Sequence, residues 1–476
     1  MTDRDWHEAR LIPTSGIKGS EEKERRATSA LLAVMGSVRE FGRVLTQPLG
    51  APSGHIETFI EVPFALGDRK VIPDGLIRVT RGSKRWTALV EVKTGTNELV
   101  QEQLESYLDV ARVEGFDAVI SISNQIPPAP GVHPTKIDRR KLRNTALHHL
   151  SWSQVLAAAV VQKEHRGVAD PDQAWILGEL IRYLEDRNSG ALEFDDMGPE
   201  WVNLRNAVVS GTLRATDSSA PQVAASFDGL LRYVCLHLGR QLGTEVSVAL
   251  SRKETAEPAL RLQSLVALLA ETGRLEGAIR IPNTVGPLLI IADLRSAQVT
   301  CQVSIDAPET GRPSTRVNWL LRQLRTAPAN LRLEASIAHQ RGPGAAELLD
   351  KVRSQPQLLV ADPKKAPRSF TIAYAQPMGR KRGRGRGSFI DSVISTVDSF
   401  YGEVMQNLKA WSAPAPRLRE PVDHEAESVA SVVSADAPGE SQSIAAYAAE
   451  VVPPGTEQAP STVHDQGLDG VVAGGA

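Results

Sequence analysis

The stretch 56–62 alternates apolar and polar side chains, two more strand-like stretches follow it up to residue 92, and only a turn holding Gly82 and Ser83 separates those two. A period of two buries one face of a strand, and a short glycine turn makes sequential strands antiparallel neighbours. The stretches 56–62, 71–80 and 85–92 therefore predict adjoining strands, the last two forming a hairpin. A helical pattern precedes them from Glu21, with Ser20 as its N-cap. Another follows over 99–113, where Val100, Leu104, Tyr107 and Ala111 share one face and Gly115 ends the helix. A fourth strand is expected at 117–123. A loop rich in proline and basic residues then runs to Asn144, before a short strand at 146–150 and a helix from Ser151.

The hairpin carries the chemistry. Asp74 lies eight residues before Gly82 and Glu91 nine after it, so pairing brings the two carboxylates together. Glu91 and Lys93 differ by two and share a strand face. Two carboxylates at one end of a sheet repel unless something neutralises them. A hard divalent cation does this, and Mg²⁺ takes one or two carboxylates while keeping several waters. Such an ion lowers the pKa of bound water and stabilises charge on a phosphate under attack. An adjacent ammonium, Lys93, can hold the water or neutralise the developing phosphorane.

Pro73-Asp74 followed by Glu91-Val92-Lys93 resembles the signature of the PD-(D/E)XK nucleases, and the order helix, three strands, helix, strand resembles their αβββαβ core. Gln103 and Tyr107, one helical turn apart, resemble the Gln-x-x-x-Tyr motif of RecB-type exonuclease domains, and the Thr94-Gly95 pair fits the same pattern. The resemblance covers about residues 20–155. It implies that Asp74 and Glu91 bind Mg²⁺ (or Mn²⁺) with help from the Val92 carbonyl. Lys93 would position the nucleophilic water, and Gln103 and Tyr107 would steady the site or touch the DNA backbone. Glu24 is the candidate accessory acid from the first helix, with Glu21 next.

A length of 476 residues implies two or three domains at roughly 150 residues each. The expected organisation is α/β: a nuclease-like domain over 20–170, a helical connector over 171–242, a second α/β domain over 243–411, and a disordered acidic tail over 412–476. Strands in the second α/β region are expected at 244–250, 275–281, 287–294, 298–305 and 331–337, with a helix at 317–324. After Ala413 the chain holds two arginines and ten acidic residues, a net of −8; the whole chain is −2, so the rest is +6. A mildly basic body suits a nucleic-acid partner, and the tail suits recruitment of a protein. Two basic segments are candidate DNA contacts. One is the loop with Lys136, Arg139, Arg140, Lys141 and Arg143. The other is the glycine-rich run with Arg380, Lys381, Arg382, Arg384 and Arg386, expected to be a mobile loop. Gly383, Gly385 and Gly387 follow no strand and lack a Walker lysine, so they predict no nucleotide loop. Cys235 and Cys301 stand alone and read as buried thiols in a reducing compartment, and His148-His149 read as structural. No apolar run reaches membrane-spanning length and the N-terminus lacks a secretory pattern, so a cytoplasmic protein is expected, with DNA as partner and no membrane. The expected function is metal-dependent hydrolysis of DNA phosphodiesters. The alternative is a silent nuclease-fold module that binds DNA or a protein in a regulatory or defence role.

Overall fold

The computed structural model describes residues 7–8, 20–127, 129, 131–191, 194–337, 344–360, 362–413 and 415, with a six-stranded sheet in the first half of the chain and a seven-stranded sheet in the second. The first half runs β1 (His7–Glu8), α1 (Ser20–Ser37), α2 (Arg39–Thr46), β2 (His55–Ile60), β3 (Phe64–Leu66), β4 (Arg69–Val71), β5 (Gly75–Arg81), β6 (Lys84–Val92), α3 (Gln101–Glu114), β7 (Ala118–Ser123), β8 (Ala146–Ser151), α4 (Trp152–Val160) and α5 (Pro171–Glu185). Its sheet has the order β1-β2-β5-β6-β7-β8, antiparallel as far as β6 and parallel from β6 to β8.

Both faces of this sheet are covered, which is why β6 reads as a nearly continuous apolar run rather than an alternating one. Ala88, Val90, Val92, Ile120 and Ile122 pack with α1, α2, α4 and α5. Leu76, Leu89 and Val119 pack on the other side against Leu104, Tyr107 and Leu108 of α3. Leu31 and Leu32 of α1 are fully buried, and each contributes about 1.5–3 kcal/mol. Helix α1 approaches β5 closely because residue 75 has no side chain: a Cβ there would lie 2.4 Å from Leu32 Cδ1. The stretch expected as one strand over 71–80 is broken. Pro73 supplies no amide hydrogen for a ladder, β4 pairs with β3 in a separate hairpin, and the sheet strand begins at Gly75.

The second half runs α6 (Trp201–Val209), α7 (Ser219–Leu242), β9 (Ser247–Val248), α8 (Arg252–Ala256), α9 (Pro258–Thr272), β10 (Arg274–Arg280), β11 (Leu288–Asp293), β12 (Gln298–Asp306), α10 (Pro313–Gln323), β13 (Arg332–Ile337), β14 (Ala345–Leu348), α11 (Leu349–Ser354), β15 (Pro367–Pro377) and α12 (Phe389–Glu403). Its sheet is antiparallel, in the order β14-β13-β15-β12-β11-β10-β9. Alternate residues such as Ile279, Ile290, Cys301, Val303, Phe370 and Ile372 enter one core with the buried faces of α7 and α12. Strand β15, absent from the sequence expectations, lies between β12 and β13.

Three expectations change. The helical stretch 171–242 is not a layer of its own. Leu177, Leu180 and Leu184 of α5 belong to the first core, whereas α6 and α7 build the second. The helix expected over 388–411 ends at Glu403, where Val404 leaves the helical region at φ −124. The glycine–arginine run is tied down rather than loose: Arg382 O accepts from Met197 N (3.1 Å), Arg384 N donates to Asp195 O (3.0 Å), and Gly385 N donates to Asp391 Oδ2 (2.6 Å). Apart from residues 412, 413 and 415, the tail expected to be disordered over 412–476 lies outside the described residues. Among the described residues no helix is long and apolar enough to cross a membrane.

Candidate active site

The β5–β6 hairpin pairs Gly75 with Val90, so Asp74, one residue before β5, falls opposite Glu91. The Val92 amide donates to Asp74 Oδ2 at 2.7 Å, and the Glu61 amide donates to the Asp74 carbonyl at 3.2 Å. Lys93 Nζ lies 2.6 Å from Glu91 Oε1 and 3.7 Å from Glu24 Oε2. Glu24 reaches the strand end from α1: its Oε1 accepts from Thr94 N (3.2 Å) and from Asn97 Nδ2 (2.6 Å). Glu24, Arg25, Thr28, Glu61, Asp74 and Lys93 line a cavity of about 280 Å³. Arg25 and Glu61 form an ion pair on its rim.

The backbone that presents Lys93 is held from several sides. Lys93 N donates to Ile122 O at 2.8 Å, and the buried Trp152 indole donates to Lys93 O at 2.9 Å. Gly95 N donates to Gly190 O at 2.8 Å, and Asn124 Nδ2 donates to both Gly95 O (2.8 Å) and Gly190 O (2.9 Å). Gly190 has φ +81, and a Cβ there would meet Thr94 Cβ at 2.8 Å, so only glycine fits this close turn.

The electrostatics are those of a crowded carboxylate pair. Glu91 is 1 % exposed, and among the described residues neither of its carboxylate oxygens has a hydrogen-bond partner. The Lys93 ammonium, 2.6 Å from Glu91 Oε1, offsets its charge. Burial first, then the charge of Glu91, pushes the Asp74 carboxyl well above the ordinary carboxylate range, against the opposing pull of the Val92 amide and Lys93. Burial disfavours the charged form of Lys93, but Glu91, Asp74 and Glu24 outweigh it and raise the amine above its usual value. On α3, Gln103 Nε2 donates to Tyr107 Oη at 2.8 Å, and Tyr107 Oη donates to Ile72 O at 3.4 Å. Burial, with the charges of Glu91 and Asp74, raises the Tyr107 phenol, so it stays neutral.

The donor set fits a hard cation. Two close carboxylates, one almost fully buried and one driven toward its protonated form, are offset here by a single ammonium, and a hard cation would relieve the remaining repulsion. Asp74 and Glu91 are the residues that would hold it, beside the Val92 carbonyl at the strand end; the hydrogen bond seen for Val92 is through its amide. No group of three or more His, Cys, Asp or Glu side chains among the described residues is arranged to hold a metal unaided. The rest of any coordination shell would therefore be backbone and water.

The expected site residues thus fall into three places. Asp74, Glu91, Lys93 and Glu24 meet at the end of β6, with Gln103 and Tyr107 on the helix above the same face. The side chain of Glu21 lies outside the described residues. Lys136, Arg139, Arg140 and Arg143 are exposed beside α3, while Lys141 pairs with Asp109 of that helix. Arg380, Lys381, Arg382, Arg384 and Arg386 are exposed on the second core, where Arg382 pairs with Asp196 (3.3 Å) and Arg384 with Asp391 (2.7 Å). Sequence reasoning missed Asn97, Asn124 and Trp152. Asn97 had a local signal, since its amide closes a turn on Thr94 O at 3.2 Å. The other two reach the site across distant sequence and had none. The chain matches no known family model and has no significant match among curated proteins.

Proposed function

We propose that the protein is a metal-dependent nuclease of the PD-(D/E)XK type that hydrolyses phosphodiester bonds in DNA. The observation that carries this reading is the convergence of Asp74, Glu91 and Lys93 at the ends of two central strands, with Lys93 Nζ 2.6 Å from a buried Glu91. Asp74 and Glu91 would hold Mg²⁺ or Mn²⁺, which lowers the pKa of bound water and stabilises charge on the phosphate. Lys93 orients the attacking water and neutralises the oxygens of phosphorus as the new P–O bond forms and the ester P–O bond breaks. Glu24 holds the Thr94 amide and Asn97, so its role is to fix the strand end as well as to add negative charge. Tyr107, neutral and bonded to Gln103, fixes the 72–74 turn through Ile72 O. Exposed cations beside α3 supply the phosphate contacts that bring the polyanion to the cavity.

One observation favours a second reading, a nuclease-fold module that binds DNA or a protein partner without turnover. Lys93 already neutralises Glu91 directly, which a site devoid of metal would require. A cleavage assay separates the two. Linear, circular and single-stranded DNA are incubated with Mg²⁺, Mn²⁺ or EDTA, beside Asp74→Ala. Metal-dependent cleavage that falls at least about a hundredfold in the variant supports the enzyme. Binding without cleavage supports the module and ends the hydrolytic reading.

A further inference from the structure

Strand register carries the polar row of the site further across the sheet. Glu91 on β6 pairs with Ser121 on β7, and Ser121 pairs with His149 on β8, so all three side chains share one face. Ser121 is 0 % exposed, and its hydroxyl lies between two imidazoles, 2.7 Å from His133 Nε2 and 2.8 Å from His149 Nδ1. His133 Nδ1 lies within hydrogen-bond distance of both the Thr135 amide (3.0 Å) and the Thr135 carbonyl (3.1 Å), so the backbone of Thr135 holds this ring at Nδ1 in either tautomer. His149 Nε2 faces the Gln125 carbonyl at 2.8 Å, and a carbonyl only accepts, so this nitrogen carries the proton and Nδ1 faces the Ser121 hydroxyl as an acceptor. The Ser121 hydroxyl also lies 3.4 Å from the His148 carbonyl. Both rings are neutral, in keeping with burial pushing His133 down and His149 down to about 4.

His133, Thr135 and Gln125 all belong to the connection between β7 and β8, residues 124–145. Asn124 ties its start to Gly95 O and Gly190 O, and further anchors are on α3, where Glu105 Oε1 accepts from Asp138 N at 3.2 Å and Asp109 pairs with Lys141. Between and beyond these anchors stand the exposed Lys136, Arg139, Arg140 and Arg143. We propose that Ser121, His133 and His149 are positioning residues that latch this connection to the sheet, so that its cations form a fixed phosphate-binding edge beside the carboxylate site. The phosphate-binding part rests on the nuclease reading; the latch itself does not. His133 and His149 also line a cavity of about 590 Å³, together with Val132, His148, Arg232 and Val246. A long irregular connection without such a tie would sample many conformations, and its charges would bind phosphate at an entropic cost.

Two readouts on the full chain test this. Trypsin cuts after lysine and arginine, so cleavage within 136–143 reports release of the connection, and Kd for a short fluorescent duplex in EDTA is measured across salt concentrations. His133→Ala and Ser121→Ala are compared with His148→Ala, which lines the cavity but lies outside the relay. His133→Ala truncates a half-buried side chain beside open space, so it keeps the proposal testable should Ser121→Ala fail to fold. The expected result is cleavage within 136–143 about tenfold faster or more. The slope of log Kd against log salt falls by about 0.9 for each phosphate that the connection no longer neutralises. His148→Ala changes neither. Unchanged trypsin protection in His133→Ala overturns the latch. Faster proteolysis with unaltered duplex affinity and slope overturns the phosphate role. A wild-type chain that binds no duplex overturns that role together with the nuclease reading, while proteolysis still decides the latch.

Discussion

Lys93→Met tests whether the ammonium is what makes a buried Glu91 tolerable. The pair is 2.6 Å apart, with side chains 15 % and 1 % exposed, so solvent screens it little. Removing one partner of such a pair leaves an uncompensated buried charge, which costs about 3–5 kcal/mol, whereas losing an exposed pair costs about 0–1 kcal/mol. The loss should therefore approach the larger figure in metal-free buffer at neutral pH. Adding Glu91→Gln should recover most of it, since both charges are then gone. Isothermal urea unfolding in EDTA, followed by intrinsic tryptophan fluorescence, gives both differences. A loss under about 1 kcal/mol for Lys93→Met would place the pair in the exposed class and refute the reasoning.

Asp74 gives a second test with a definite sign. Its folded pKa is raised, so its contribution to stability is full below the unfolded value of about 3.9 and is lost as pH rises through the folded value. Metal-free protein should therefore lose stability over that rise, Asp74→Asn should remove this component of the loss, and millimolar Mg²⁺ should raise the melting temperature of wild type but not of the variant. An Asp74→Asn profile identical to wild type counts against the crowded pair. At Gly190, alanine meets both a positive φ and a 2.8 Å approach to Thr94. Gly190→Ala should cost about 1–3 kcal/mol in chemical unfolding, and an unchanged midpoint would mean that the turn is not held against the strand end.

Much of the first half is legible in local sequence. The hairpin, the helix α3 and the strand β7 follow from period and glycine punctuation, because each buries a face whose pattern is written within about ten residues. The pairing of Asp74 with Glu91 follows from the same hairpin count. Other features depend on distant partners. Pro73 is itself a local signal that a ladder breaks beside Asp74, but the partner of β4 lies outside that stretch. The glycine–arginine run has the composition of a linker, yet Asp195, Met197 and Asp391 supply its hydrogen bonds from two other segments. Strand β15 is a different kind of miss: Phe370 and Ile372 alternate with Thr371 and Ala373, so its pattern is present in the sequence. The relay at Ser121 needs His133 and His149 from beyond the strand, and only the register of β7 and β8 brings them together.

The turn at Gly190 has a practical consequence for anyone who would isolate the first sheet. A fragment stopping at residue 170 loses Leu177, Leu180 and Leu184 from its core and the carbonyl that receives the Gly95 amide. The smallest excisable piece with an intact strand end must extend through 190. Proteolytic trimming short of that point should strip away the support of the lysine-bearing strand while leaving every carboxylate of the candidate site, Glu24, Asp74 and Glu91, in place.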